Sequence, residues 1–136
     1  MLNRRGFVSG AICATVGLAL SQGRADAQTS PQYPLRFLKK IEYPGDKYVC
    51  ILVTLDLAPG EHVPRHMHPG VESSYIATGS ITLSIVGQPD LVVKAGDGYQ
   101  IPPETPHSVL NGPEKSRIVA TFIVEKDKQL VESVAE

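Results

Sequence analysis

Turn residues break this chain wherever an apolar run has grown long enough to make a strand and before it has grown long enough to make a helix. The run Tyr48–Leu57 is rich in Val, Ile, Leu and Thr. Shorter runs follow at 74–77, 80–86, 91–93, 99–101, 108–110 and 117–124. Between them lie Pro59-Gly60, Pro69-Gly70, Thr78-Gly79, Gly87-Gln88-Pro89-Asp90, Gly96-Asp97-Gly98, Pro102-Pro103 and Asn111-Gly112-Pro113. Short strands at this spacing with glycine or proline turns predict an all-β sandwich or barrel. No window shows a helical stripe, except that the charged segment 126–135 fits either a terminal helix or a frayed strand. The sequence has no internal repeat and no linker, so its 136 residues make one domain.

The N-terminus reads as an address, not as part of that fold. A basic start, Met1-Leu2-Asn3-Arg4-Arg5-Gly6-Phe7-Val8, precedes an apolar run from Ala11 to Leu20 and a small-residue site, Ala25-Asp26-Ala27. These three parts in this order make an export signal. An apolar core of about ten residues is too short to span a ~30 Å hydrocarbon layer as a helix, so no stable membrane anchor is expected after cleavage. Arg4-Arg5-Gly6-Phe7-Val8 resembles the twin-arginine signal, whose route carries proteins already folded and often loaded with a cofactor. A plain secretory signal is the alternative. The expected organisation is an export signal at 1–27, a leader at 28–47, the barrel at 48–124 and a charged tail at 125–136, with a periplasmic destination.

Cleavage after Ala27 removes three of the 13 basic and one of the 14 acidic residues, leaving a formal charge of −3. Nothing in that balance calls for nucleic acid or an anionic membrane as partner. Cys13 leaves with the signal and Cys50 remains alone, so no internal disulfide can staple the exported domain. A metal, a closed barrel or a homodimer can do so instead. The runs Tyr48–Leu57 and Arg117–Val124 are long enough to pair across a partner copy, since exposed strand edges are usually covered.

The candidate chemistry lies in Gly60-Glu-His62-Val-Pro-Arg-His66-Met-His68-Pro-Gly-Val-Glu72 and in Pro102-Pro-Glu-Thr-Pro-His107-Ser-Val-Leu-Asn111. On a strand alternate side chains share a face, so His66 and His68 point the same way and can converge on one ion. The Pro69-Gly70 turn lets Glu72 return on a neighbouring strand with a hard oxygen ligand. A pair of polar residues on a solvent face gives the same H-x-H pattern. His107, entering an apolar strand after a proline turn, fits either a satisfied core histidine or a further ligand. With only four histidines in the chain, three of them plus one glutamate make a complete ligand set.

These two runs resemble the two sequence motifs of the cupin superfamily. Gly60, His66, His68, Glu72 and Gly79 match the first motif, and Gly96, Pro102, His107 and Asn111 match the second. Glu104 stands where a glycine is usual, so the turn before His107 is expected to find another geometry. The resemblance implies a small antiparallel, jelly-roll-like β-barrel with one divalent metal held inside by His66, His68, Glu72 and His107. It also implies coordination positions left over for water, substrate or oxygen. Nitrogen and carboxylate ligands without thiolate suit Mn, Fe, Co, Ni, Cu or Zn, and affinity alone favours copper or zinc. Folding and loading in the cytoplasm before export favours Mn(II) or Fe(II).

Other residues weigh less. His62 shares the parity of His66 and His68, which suits either a hydrogen-bonding support for the site or a place on the barrel rim. Tyr75 and Tyr99 line the cavity or pack; Arg65 attracts an acidic substrate or sits solvated at the rim; Met67 faces outward; Cys50 is a buried, inert thiol. The expected function is a metal-dependent enzyme acting on a small organic molecule, by dioxygenation or by lyase or isomerase chemistry, with Glu72 both ligand and proton acceptor. The alternative is a non-catalytic module that binds a small ligand.

Overall fold

A computed structural model describes residues 34–136. The export signal and its Arg4-Arg5 pair lie outside the described residues. Two five-stranded antiparallel sheets face one another. The first has the order β1 (Leu35–Glu42), β2 (Tyr48–Leu57), β9 (Ser116–Glu125), β4 (Gly70–Thr78), β7 (Gly98–Ile101). The second runs β10 (Glu132–Ser133), β3 (His62–Met67), β8 (His107–Asn111), β5 (Ser80–Ile85), β6 (Leu91–Lys94).

Alternation makes this a sandwich. In β2 every second residue is buried, Val49, Ile51, Val53, Leu55 and Leu57, and in β9 the same holds for Ile118, Ala120, Phe122 and Val124. The second sheet contributes Val63, Ile81, Leu83, Val93 and Val109 to the interior. Period-two burial on two facing sheets is what packs a jelly-roll core. The long strands β2 and β9 pair with each other over their whole length, so neither is free to pair across a partner copy as the sequence suggested. The edges of that sheet are β1 and β7.

Two segments differ from their sequence reading. Residues 35–42, placed in the leader, form β1 and pair with β2, with a register shift between Phe37 and Lys39. Seven of its eight positions are exposed, so the strand has no inward-facing pattern, and that is why alternation failed to reveal it. The charged tail contains no helix: Leu130 packs on the core, Val131 is buried, and β10 pairs with Met67 and His66 of β3.

A third difference decides the site. The β3–β8 ladder shifts register between Val63 and His66. Such a bulge changes which parity faces inward. Val63 and His66 are both buried, although they are three residues apart, and His62 is exposed. Of the two readings of His62, the place on the barrel rim holds, and its shared parity with His66 does not carry it into the site. Pro64 sits within the bulge, where a missing N–H costs no ladder bond.

Two backbone positions fix the turns that deliver the other candidate site residues. Glu104 has φ 55°, so the turn before His107 keeps a left-handed residue with glutamate in glycine's place, at a cost of about 1–2 kcal/mol. Its N–H donates to the His68 carbonyl at 2.9 Å, which ties the two ligand-bearing loops together. Gly70 lies so close to β9 that a Cβ would meet the Ile123 carbonyl oxygen and come within 2.6 Å of the Val124 Cα.

Candidate metal centre

His66 and His68 come from β3 and the residue after it, His107 from the start of β8, and Glu72 from β4 of the opposite sheet. All four side chains are buried. The imidazoles form a three-histidine cluster, with one nitrogen of each within 4.8 Å of the others, that can hold a metal ion. Ring centroids stand 4.3 Å apart for His66 and His107, 4.9 Å for His66 and His68, and 5.2 Å for His68 and His107. Glu72 Oε2 lies 3.1 Å from His68 Nε2 and 3.3 Å from His107 Nε2.

Each ring is oriented through its other nitrogen. His66 Nδ1 meets the Pro64 carbonyl at 2.8 Å, His68 Nδ1 the Leu130 carbonyl at 2.7 Å, and His107 Nδ1 the Thr105 carbonyl at 2.8 Å. A carbonyl only accepts, so each Nδ1 carries a proton, and a ring without a second proton keeps a lone pair on Nε2. For His68 and His107 that lone pair faces a carboxylate oxygen. Two acceptors at about 3 Å repel unless a cation, either a proton or a metal, lies among them. His68 Nε2 is in fact buried with no hydrogen bond, despite its nearness to Glu72. A buried polar atom left unsatisfied is costly, and a metal at the centre of the cluster would satisfy it. The residues present therefore fit a divalent ion.

Electrostatics agree. Desolvation, helped by the neighbouring His107, pushes His66 down to about 4, so it is neutral and ready to ligate at neutral pH. Burial alone would raise the Glu72 carboxyl, but the His107 and His68 rings, when they carry a second proton, outweigh it and hold the group well below the usual carboxylate range, so the ionised carboxylate again calls for a cation among these atoms. Ser74, two residues on and on the same face of β4, donates its hydroxyl to Glu72 Oε1 at 2.6 Å. That bond leaves Oε2 turned toward the histidines. Sequence reading missed Ser74, though its parity with Glu72 was available as a signal.

A pH dependence follows. The folded value of His66 lies below its unfolded value of about 6.5, so in the window between them the unfolded chain takes a proton that the folded one refuses. Stability of the metal-free protein therefore falls as pH drops from about 6.5 to about 4, by on the order of 3 kcal/mol from this group. The lowered Glu72 carboxyl adds loss in the same direction at lower pH. Urea midpoints of metal-free protein at pH 7 and pH 4.5 will show it, and equal midpoints would contradict it.

The rest of the site is apolar. A cavity of about 30 Å³ is walled by Leu55, Val63, Val109, Ile118, Ala120 and Phe122 besides the four polar side chains, with Leu35 and Tyr99 completing it. That is room for an ion and a water or two. Only Leu35 and Tyr99 are partly exposed, and they mark where the cavity reaches the surface. Tyr99 thus lines the cavity, whereas Tyr75 points outward and is half exposed. Arg65 is spent on the tail, pairing with Glu136 at 3.8 Å. Met67 is half-buried, and Cys50 is half-buried on the outer face of β2, not fully buried as expected.

A family model described as a cupin domain matches residues 53–124. No curated protein matches the sequence. Among solved structures, a recombinant oxalate oxidase in complex with glycolate superposes with TM-score 0.59 at 23% identity, covering 78% of this chain and 57% of that one. The DMSP lyase DddQ from Ruegeria pomeroyi gives TM-score 0.57 at 20% identity, with 77% and 53% covered. A cupin-like protein from Thermotoga maritima gives TM-score 0.58 at 20% identity, with 75% of each chain covered. The chain spans little more than half the length of the first two. At these identities the likeness is one of fold: an all-β, jelly-roll barrel.

Proposed function

This chain belongs to the cupin domain family, and we propose that it is an exported, metal-dependent enzyme acting on a small organic molecule. The observation that carries the reading is the buried, unbonded His68 Nε2 facing the ionised Glu72 Oε2, a juxtaposition that asks for a cation. His66, His68, His107 and Glu72 would hold it. Three imidazoles and a carboxylate accept any first-row ion, and loading before export favours Mn(II) or Fe(II) over Zn(II), Ni(II), Co(II) or Cu(II). When bound, such an ion supplies Lewis acidity and one-electron redox capacity, which suits dioxygenase or lyase and isomerase chemistry.

The protein's own residues do the remainder. The apolar walls exclude water and so strengthen every electrostatic interaction at the site. Neutral His66 brings no competing charge. Glu72 has two oxygens with two tasks: Oε2 faces the histidines as a ligand, and Oε1, already bonded to the Ser74 hydroxyl, is where a substrate proton would be taken up. A carboxylate held so low is a weak base, and Ser74 keeps it from swinging free, so ligation is the larger of the two roles. An organic substrate exceeds the cavity's volume and must enter by displacing Leu35 and Tyr99. A small oxygen-bearing acid suits the site; among the structural neighbours, the oxalate oxidase holds glycolate.

Two further features belong to this reading. Arg4-Arg5-Gly6-Phe7 with Ala25-Asp26-Ala27 supports twin-arginine export to the periplasm. Exposed Phe37 and Ile41 on the edge strand β1 support a homodimer that covers them. The almost wholly apolar lining favours the second reading, a module that binds a small ligand and returns it unchanged. One preparation decides among these. Protein recovered from the exported fraction should begin at Gln28, scatter light as a dimer and carry one divalent ion per chain. It should convert small hydroxy acids, diketones or diols, and Glu72→Gln should lower turnover more than metal occupancy. A ligand bound tightly yet recovered intact after long incubation in air would sink the enzymatic reading for that ligand in favour of the binding module.

A further inference from the structure

Two of the three imidazoles are oriented by their own local chain: His66 by a carbonyl two residues before it, His107 likewise. His68 is not. Its Nδ1 donates to the Leu130 carbonyl, 62 residues further along. The residue before it and His66 are the two β3 positions that pair with the tail, Met67 with Glu132 and His66 with Ser133. The Val134 N–H donates to the Arg65 carbonyl at 3.0 Å, and the Arg65 guanidinium reaches back to the Ala135 carbonyl at 3.4 Å and the Glu136 carboxylate at 3.8 Å. Leu130 packs against both core clusters and Val131 is buried in one of them.

We propose that the C-terminal segment 130–136 is a clamp on the metal centre, in which the Leu130 carbonyl is the positioning group that holds His68 in its ligating orientation. The inference rests on the metal-centre reading above and adds to it a dependence on a distant part of the chain. A free His68 ring can place its proton on either nitrogen and rotate about its own bonds. Only with Nδ1–H bonded to Leu130 does Nε2 present a lone pair beside Glu72 Oε2. The clamp is held by two apolar side chains, a two-residue strand and exposed polar contacts, so it opens more readily than the sandwich beneath it. Metal affinity then scales with the fraction of molecules in which the tail is docked. By linkage, a bound ion must stabilise the docked tail to the same degree.

The test compares the full chain with a variant ending at Gln129, and uses Co(II) alone as the probe. Loss of an outer hydrogen bond to a ligating histidine typically weakens metal affinity 10–100-fold, and the truncated chain is expected to bind Co(II) weaker by that factor. Its Co(II) absorption bands should shift. In metal-free protein, imidazole ¹⁵N resonances should show His68 as the Nδ1–H form in the full chain and as a tautomer mixture in the truncated one, with His66 and His107 unchanged. That spectroscopic signature would not move if the tail were mere packing. Val134→Pro removes one tail-to-β3 hydrogen bond while leaving Leu130 and Val131 in place. It should weaken Co(II) binding several-fold, and it stands as the test if truncation prevents folding. Absence of Co(II) binding by the full chain overturns the metal centre and this proposal together. Binding by the full chain that neither variant weakens, with the His68 tautomer unchanged, overturns this proposal alone.

Discussion

Protein in which His107 is replaced by alanine will be recovered without stoichiometric metal. His107 is 1% exposed, its ring lies against those of both His66 and His68, and its Nε2 is one of two facing Glu72 Oε2. Removing it takes away a third of the nitrogen donors and leaves water-sized space where an imidazole stood. Two histidines and a carboxylate bind first-row ions far less tightly, so occupancy after purification should fall to below about a tenth of wild type, on a scale where even losing an outer hydrogen bond costs 10–100-fold. His66→Ala should behave alike. Stability should respond differently. The metal-free variant loses packing but also loses one of the facing acceptors, so its melting point should fall less than that of the loaded pair. Elemental analysis of freshly purified protein gives the answer, and full occupancy in either variant would refute the assigned ligand set.

Gly70→Ala carries the second large effect, and it needs no metal to show itself. The added methyl would be driven into the Ile123 carbonyl and within 2.6 Å of the Val124 Cα. Both are backbone atoms of the central strand β9, so no flexible side chain can yield. Either β4 separates from β9 at that end, losing the Gly70–Val124 and Val71–Ile123 pairs, or β9 buckles against β2. Overpacking of this kind costs about 3 kcal/mol, occasionally more, which is a large share of the 5–15 kcal/mol that holds a domain together. Because Glu72 lies two residues beyond, the same displacement should also loosen the carboxylate. Chemical denaturation of the metal-free variant measures the first effect; a midpoint within error of wild type would show that the close approach is absent in solution.

The sequence revealed what repeats with a period of two and hid what departs from it. Strand β2 was legible to its end residues because Tyr48–Leu57 is a continuous run rich in Val, Ile, Leu and Thr, and β5 through β9 were found within a few residues because glycine and proline bracket them. The four buried side chains that meet at the candidate site, His66, His68, Glu72 and His107, were picked out because motif spacing carried them. Strand β1 escaped because Arg36, Lys39 and Lys40 leave it no apolar face to read. His62 could not be settled between site and rim because one extra residue inside β3 is invisible to a parity count, although Pro64 marked the place; its exposure fits the rim. The reliance of His68 on Leu130 was beyond reach, since a backbone carbonyl has no residue type.

The irregularity in β3 has a meaning best put as phase. Before it, Val63 reads inward with one set of residues; after it, His66 reads inward with the other. The strand is a message with a frameshift in the middle, and its second half spells the site only because of the insertion. A point substitution alters one letter. Loss of a single residue between Val63 and His66 would keep both His66 and His68 in the chain and turn them to face the solvent, while Glu72 on β4 and His107 on β8 kept their places.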